Sequence, residues 1–279
     1  VSDPPPFEDP RRVLARHDLS PKKRMSQNFL VARQIVERIA DATEVREGER
    51  IVELGPGLGT LTGELLRRGA RVIAIEMDPE MVEVVEEELG NTGRVEVRQA
   101  DAAEIDLASI AEGEPIKVVG NLPYAVTGAI LKNLIAHRRS ISSAVVMVQR
   151  EVRDRLVSRP KSRDYGALTV FTQAAFRVDK VVDVKAGSFH PPPKVASAVV
   201  RLTPLEPPRA EETPTFRSVV KAAFQARRKT LRNALRQRIS TEIVDQALAD
   251  ASIDGGRRGE TLDVEEFGAL ADAFQRLSV

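Results

Sequence analysis

Short runs rich in Val and Ile recur along the chain at residues 50–55, 71–76, 95–100, 117–121 and 144–149. Each is too short for a helix and carries the β-branched residues that suit a buried pleated surface, so each predicts a strand. Between them, apolar positions return every three or four residues in 61–68, 81–89 and 125–137, which predicts helices. Strand alternating with helix implies a parallel sheet covered by helices on both faces, an α/β fold of the Rossmann-like kind. Residues 181–183 and 196–202 flank a proline-rich loop with no helix-length spacer, which predicts an antiparallel pair at the far edge of the sheet. Ahead of the first strand, Ile35, Val36, Ile39 and Ala40 predict an amphipathic helix over 31–43, covering the ligand end of the sheet.

The periodicity stops at residues 203–214, where Pro204, Pro207, Pro208 and Pro214 stand among acids; this segment reads as a linker. Beyond it, 216–224, 230–238, 242–251 and 264–277 predict four short helices, the last capped by Asp263 with Glu266 three residues on. The expected organisation is a flexible arm over 1–20, an α/β domain over 21–205, a linker over 206–213 and a small all-helical domain over 214–279.

Composition narrows the chemistry. The chain has no cysteine and only three histidines, His17, His137 and His190, so disulfides, thiolate metal sites and cysteine nucleophiles are excluded and no metal is expected. No apolar run approaches the roughly 20 residues that span a bilayer, and the first residues are Pro-rich and charged, so a soluble, cytoplasmic protein is expected, with a monomer as the default. The net charge of +1 conceals segregation. No acid interrupts residues 217–241, which hold Arg217, Lys221, Arg227, Arg228, Lys229, Arg232, Arg236 and Arg238. A second basic group is Arg11, Arg12, Arg16, Lys22, Lys23 and Arg24, whereas 76–106 is mostly acidic. One such run is commonly a solvated helix face; two point to a polyanionic partner.

The first predicted strand runs through Glu53, Gly55, Gly57 and Gly59 into a helix. Glycines at such a corner let the backbone turn sharply and approach a ligand, although a tight turn without a ligand has the same signature. Glu76 ends the second strand, where a carboxylate can accept hydrogen bonds from both ribose hydroxyls. Asp101 follows the third strand, where it either meets an adenine amino group or caps a helix. Acids at successive strand ends favour a nucleoside. The absence of a lysine-bearing phosphate loop favours one without phosphates, as in S-adenosylmethionine.

Asn121-Leu122-Pro123-Tyr124 closes the fourth strand and so lies beside the glycine turn. An adenine amine is a poor nucleophile because its lone pair is delocalised into the ring. The Asn121 side-chain oxygen and a backbone carbonyl at Leu122 or Pro123 can accept its two hydrogens and favour the localised form. Pro123 stiffens the turn, and Tyr124 can stack on the base and align the amine. Phe189, in Ser188-Phe189-His190-Pro191-Pro192-Pro193-Lys194-Val195, either covers the other face of the base or belongs to the core.

These motifs, with Lys22-Lys23-Arg24-Met25-Ser26-Gln27-Asn28-Phe29-Leu30 and Phe224-Gln225-Ala226-Arg227-Arg228-Lys229-Thr230-Leu231, resemble the ribosomal RNA adenine dimethyltransferases of the KsgA type over nearly the whole chain. The resemblance implies S-adenosylmethionine as cofactor, with Asn28 and Leu30 closing over its methionine end, Gly55 and the Gly57 turn beside it, Glu76 on the ribose, Asp101 on the adenine and Asn121 at the junction with the target amine. It implies dimethylation of two adjacent adenosines in the 3′-terminal hairpin loop of small-subunit ribosomal RNA, and a role in small-subunit biogenesis. Arg227, Arg228, Lys229 and Arg232 would grip RNA within an immature subunit. One departure is Ser26, where the family usually has glycine. The rival readings are a large-subunit adenine methyltransferase of the macrolide-resistance type, a DNA adenine methyltransferase, and a non-catalytic assembly factor that binds RNA.

Overall fold

The structure, a computed structural model, describes residues 2–22 and 25–277, so Lys23 and Arg24 of the second basic group lie outside the described residues. The chain begins with α1 (Pro10–Arg16), β1 (Phe29–Leu30) and α2 (Arg33–Thr43). It then alternates through β2 (Arg50–Leu54), α3 (Thr60–Arg67), β3 (Arg71–Glu76), α4 (Pro79–Leu89), β4 (Val95–Gln99), α5 (Leu107–Ala111), β5 (Ile116–Asn121), α6 (Thr127–Ala136) and β6 (Ile141–Gln149). Next come α7 (Arg150–Leu156), α8 (Ala167–Ala175), β7 (Phe176–Val184), β8 (Phe189–His190) and β9 (Ser197–Pro204). The chain ends with α9 (Pro214–Gln225), α10 (Leu231–Leu235), α11 (Thr241–Asp250) and α12 (Val264–Arg276). Among the described residues no helix is long and apolar enough to cross a membrane.

Seven strands form one sheet in the order β4-β3-β2-β5-β6-β9-β7, and a separate pair joins β1 to β8. The pairs β2/β3, β3/β4, β2/β5 and β5/β6 are parallel, whereas β9 runs antiparallel to β6. The chain lays down β2, β3 and β4 in one direction and then β5 and β6 in the other. This reversal opens a crevice beyond the carboxyl ends of β2 and β5, the place where doubly wound sheets bind ligands. One face of the sheet buries Ile51, Val72, Val119, Val145 and Val199 against Val36, Ile39 and Leu65.

The chain divides into two compact units, residues 1–153 with 179–203, and residues 154–178 with 204–279. This differs from the expected boundaries in two ways. Residues 154–178 join the C-terminal helices, because fully buried Tyr165 donates its hydroxyl to the Leu262 carbonyl at 2.9 Å and packs edge-on against Phe224, while Phe171 meets Phe216. The expected linker is packed: Arg209 N–H donates to Ala174 O at 3.0 Å, and buried Ala210 fits over Gly268. The expected flexible arm also contains structure. Asp9 and Pro10 start α1, and its Val13 and Leu14 are buried with Phe29, Leu58, Met81 and Val84. The last helix begins as expected, with Glu266 N–H donating to Asp263 Oδ1 at 2.8 Å and Asp263 N–H to Glu266 Oε2 at 2.9 Å.

Candidate active site

The glycine turn leads from β2 into α3. Gly57 has φ +55°, and a Cβ there would meet the Phe29 ring at 3.0 Å; Gly59 has φ +74°, and a Cβ would come within 2.8 Å of Leu89. Both positions require glycine on conformation and space together. Glu76 locks the turn to the end of β3: its Oε2 accepts the Gly57 N–H at 3.1 Å, and its Oε1 accepts the N–H groups of Met77 and Asp78 at 2.8 and 2.9 Å. Burial raises the Glu76 carboxyl above its ordinary value, against the opposing effect of these three bonds. One N–H leaves Oε2 a free acceptor site for a hydroxyl.

Glu53, marked in the sequence only as an acid near the end of a strand, is 1% exposed and lines the same cavity. Thr62 Oγ1 donates to it at 2.7 Å, yet burial, and in smaller measure the charge of Glu76, push its carboxyl up to about 7. Among the described residues no Lys or Arg pairs with Glu53 or Glu76.

The segment before β1 is fastened to the start of α4. Asp78, 1% exposed, caps α4 and accepts hydrogen bonds from Lys22 Nζ at 2.9 Å and Gln27 Nε2 at 2.8 Å, while Lys22 also pairs with Glu80 at 2.8 Å. Lys22 is thus spent inside the protein. Arg11, paired with Asp9, and Arg16, paired with Glu8 and Glu88, form ion pairs at the surface and stay exposed. Further on, Ser26 has φ +54°, the conformation that explains why glycine suits this position, and its carbonyl accepts the Asn28 side-chain amide at 2.8 Å. The Asn28 carbonyl in turn accepts Asn121 Nδ2 at 3.1 Å. That bond orients the Asn121 amide and leaves Oδ1 available.

The Asn-Leu-Pro-Tyr corner resolves which backbone carbonyl can serve. The Pro123 carbonyl already accepts Val126 N–H at 3.2 Å and Thr127 Oγ1 at 3.0 Å, so both its lone pairs are engaged. The Leu122 carbonyl has no donor among the described residues. Tyr124 shares a 2.5 Å hydrogen bond with Ser197 Oγ, and burial raises its phenol above the ordinary value.

A cavity of about 350 Å³ joins these parts; its lining includes Asn28, Leu30, Glu53, Gly55, Gly57, Glu76, Asn121, Leu122, Pro123 and Tyr124. Two sequence candidates are not brought into it. Asp101 accepts the Ala103 N–H at 2.8 Å within a turn; it caps no helix, since α5 is capped by Asp106. Phe189 is 4% exposed, pairs with Leu30 across β1 and β8, and packs with Leu30, Val36 and Val199, which is the core alternative. The cavity nevertheless fits S-adenosylmethionine. A buried and a half-buried carboxylate, both with raised proton affinity and with no cation paired to them among the described residues, are stabilised by a ligand that brings positive charge and hydroxyl donors. Among the described residues no group of three or more His, Cys, Asp or Glu is placed to hold a metal ion.

In the second unit the basic residues fall into two sets. Arg227 pairs with Glu260 at 3.3 Å, and Arg232 and Arg236 share Asp245 at 3.0 and 2.6 Å. Arg228 and Lys229 are exposed, with no partner among the described residues. Arg227 also donates to the Arg163 carbonyl at 3.2 Å, and Lys161 N–H donates to Glu260 O at 2.7 Å, which brings the loop with exposed Arg159, Lys161 and Arg163 beside them. The sequence reading missed that loop, since only folding brings it beside Arg227, Arg228 and Lys229.

A glycine turn, strand-end acids and a pair of amine acceptors lining one cavity are what an enzyme needs to bring a nucleoside cofactor to an amine. The class so defined is the Rossmann-like, S-adenosylmethionine-dependent methyltransferases. A profile of ribosomal RNA adenine dimethylases matches residues 19–276. The ribosomal RNA small subunit methyltransferase A of Geobacter metallireducens is 44% identical over 92% of this chain and 96% of its own. The protein of the same description from Myxococcus xanthus is 44% identical over 98% of this chain and 97% of its own. Among solved structures, a dimethyladenosine transferase from Plasmodium falciparum matches with a TM-score of 0.77 and 25% identity, covering 90% of this chain and 98% of that one. The 23S rRNA methyltransferase ErmE matches with a TM-score of 0.65 and 30% identity over 89% of this chain and 100% of that one. The chain belongs to the ribosomal RNA adenine dimethylase family.

Proposed function

We propose that this protein dimethylates the exocyclic amines of two adjacent adenosines in the 3′-terminal hairpin loop of small-subunit ribosomal RNA, acting on RNA within an immature subunit. The observation that carries the reading is the pair of free acceptors, Asn121 Oδ1 and the Leu122 carbonyl, in the same cavity as the glycine turn and Glu76, which suit a nucleoside. The 44% identity to small-subunit enzymes favours that substrate over the large-subunit one suggested by the likeness to ErmE.

The bound cofactor supplies the methyl group as an electrophilic substituent on a sulfonium. Glu76 would hold the ribose through the free acceptor site of Oε2, and the Glu53 carboxylate, in the same cavity, would favour a cationic ligand. Asn28 and Leu30 cover the methionine end. Asn121, its amide fixed by the Asn28 carbonyl, accepts one amine hydrogen, and the Leu122 carbonyl accepts the other, so positive charge developing on the nitrogen meets two aligned acceptors. Tyr124 lies against the base and sets the line of approach. No general base is needed, because the alkylated amine is acidic and loses its proton to water. After the first transfer one N–H remains, so one acceptor suffices to hold the amine for the second. Arg228 and Lys229, together with Arg159, Lys161 and Arg163, hold the phosphate backbone while unstacked loop bases enter the site.

Asn121→Ala tests this assignment. Methyl transfer should fall by about a hundredfold or more, as for loss of one transition-state hydrogen-bonding group, while cofactor and RNA affinities change little. A variant that retains near-normal transfer removes Asn121 from the mechanism.

A further inference from the structure

Tyr124 stands at the reacting corner with no aromatic neighbour among the described residues to set its ring. Its main chain is fixed by the turn closed by Val126 N–H on the Pro123 carbonyl, and the far end of its side chain is fixed by one contact, the 2.5 Å hydrogen bond to Ser197 Oγ. Ser197 is 0% exposed, and Tyr124 is the one partner recorded for its hydroxyl among the described residues. It opens β9, opposite Gln149 of β6, in a register secured next door by Arg150 N–H on the Ala196 carbonyl at 2.9 Å. Alternation along the strand puts Ser197 on the same face as Val199, which belongs to the apolar layer with Leu30 and Met147. A hydroxyl at the end of an apolar row, bonded to a tyrosine that lines the cavity, has a use that an alanine or valine would not.

Resting on the methyl-transfer reading above, we propose that Ser197 is a positioning residue for the reaction, holding the Tyr124 ring at the angle at which it supports the target base. Ser197 does not reach the amine. Its effect passes through the phenol, and this makes the proposal separable from a packing role.

The test compares Ser197→Thr with Ser197→Val, two side chains of the same shape that differ in the hydroxyl, each in the wild-type and the Tyr124→Phe background, using S-adenosylmethionine and unmethylated small subunits. The valine variant should lower kcat by about tenfold, a size typical of a lost orienting contact, with cofactor affinity within about twofold of wild type. The threonine variant should recover most of that loss. In the Tyr124→Phe background, which has no phenol to hold, threonine and valine should be indistinguishable. Equal activity of threonine and valine variants in the wild-type background, or the same ratio between them with and without the phenol, overturns the proposal. A second readout does not depend on turnover: the chain has two tyrosines, so ring-labelled tyrosine gives two NMR environments, and the Tyr124 signals should move in the valine variant and not in the threonine one. If wild type transfers no methyl group yet the signals move as described, the substrate reading has failed and the positioning contact stands; if they do not move, the contact itself is refuted.

Discussion

Glu53→Gln should change how both stability and cofactor binding depend on pH. The side chain is 1% exposed, accepts a single hydrogen bond from Thr62 and has its carboxyl pushed up to about 7 from an ordinary 4.5. The folded protein therefore holds this proton more tightly than the unfolded chain does. Between about pH 4.5 and 7 the unfolded state binds fewer protons, so stability falls as pH rises through that window and levels off above it. The displacement corresponds to about 3 kcal/mol across the window. The glutamine variant has no proton to lose, so urea titrations followed by far-ultraviolet circular dichroism should show it close to wild type at pH 5 and more stable at pH 8 by up to about 3 kcal/mol. Cofactor binding should move the other way. A cationic ligand favours the ionised carboxylate, so wild-type affinity, measured by calorimetry, should rise by up to about fivefold from pH 6 to 7 and by at most about twofold more above it, whereas the glutamine variant should bind more weakly at pH 8 and nearly independently of pH. Parallel stability profiles for the two proteins, or an unchanged pH dependence of binding in the variant, would refute the placement of a protonatable carboxyl against the cofactor.

The clamp on the N-terminal segment separates into two effects at Asp78. Asp78→Ala should lose both the cap of α4, about 1 kcal/mol of stability, and the hold on Lys22 and Gln27, whereas Asp78→Asn should keep most of the thermal stability and still weaken cofactor affinity several-fold. Equal cofactor affinity in all three proteins, measured by calorimetry, contradicts the clamp. For the RNA surface, charge reversal at Arg228 and Lys229 should lower affinity for an RNA hairpin and reduce the slope of log K against log salt by about 1.5. Reversal at Arg232, already paired with Asp245, should alter that slope much less; the opposite ranking would place the RNA elsewhere.

What could be read from the sequence was what depends on neighbours along the chain. The strands at β2, β3, β4 and β5 begin and end within a residue or so of the apolar runs, the box formed by Asp263 and Glu266 sits where its spacing put it, and Gly57, Glu76 and Asn121 line one cavity because each ends or follows a strand of the same sheet. Features made by distant pairings were not legible. α8 is apolar nearly all round, so its period said little, and its membership of the second unit is decided by contacts such as Phe171 with Phe216 and Ala174 with Arg209, far apart in sequence. Strand β7 is longer than its apolar stretch because Arg177, Asp179 and Lys180 break the alternation on an edge strand, where polar side chains face solvent. The acids that pair with the basic residues near the N-terminus, Glu88 with Arg16 and Asp78 with Lys22, are far away in sequence and could not be read from it. Asp101 and Phe189 had two readings each, and folding placed them in a turn and in the core. Ser197 gave no signal, since a serine at a strand end is unremarked until the phenol it meets is known.

The central claim is tested most directly by incubating the protein with labelled S-adenosylmethionine and purified small or large ribosomal subunits that lack adenine methylation, then analysing the nucleosides. The account predicts dimethyladenosine in the small subunits alone, at two adjacent positions of the 3′-terminal hairpin loop. Label confined to the large subunits, or tight RNA binding with no transfer to either, would contradict it.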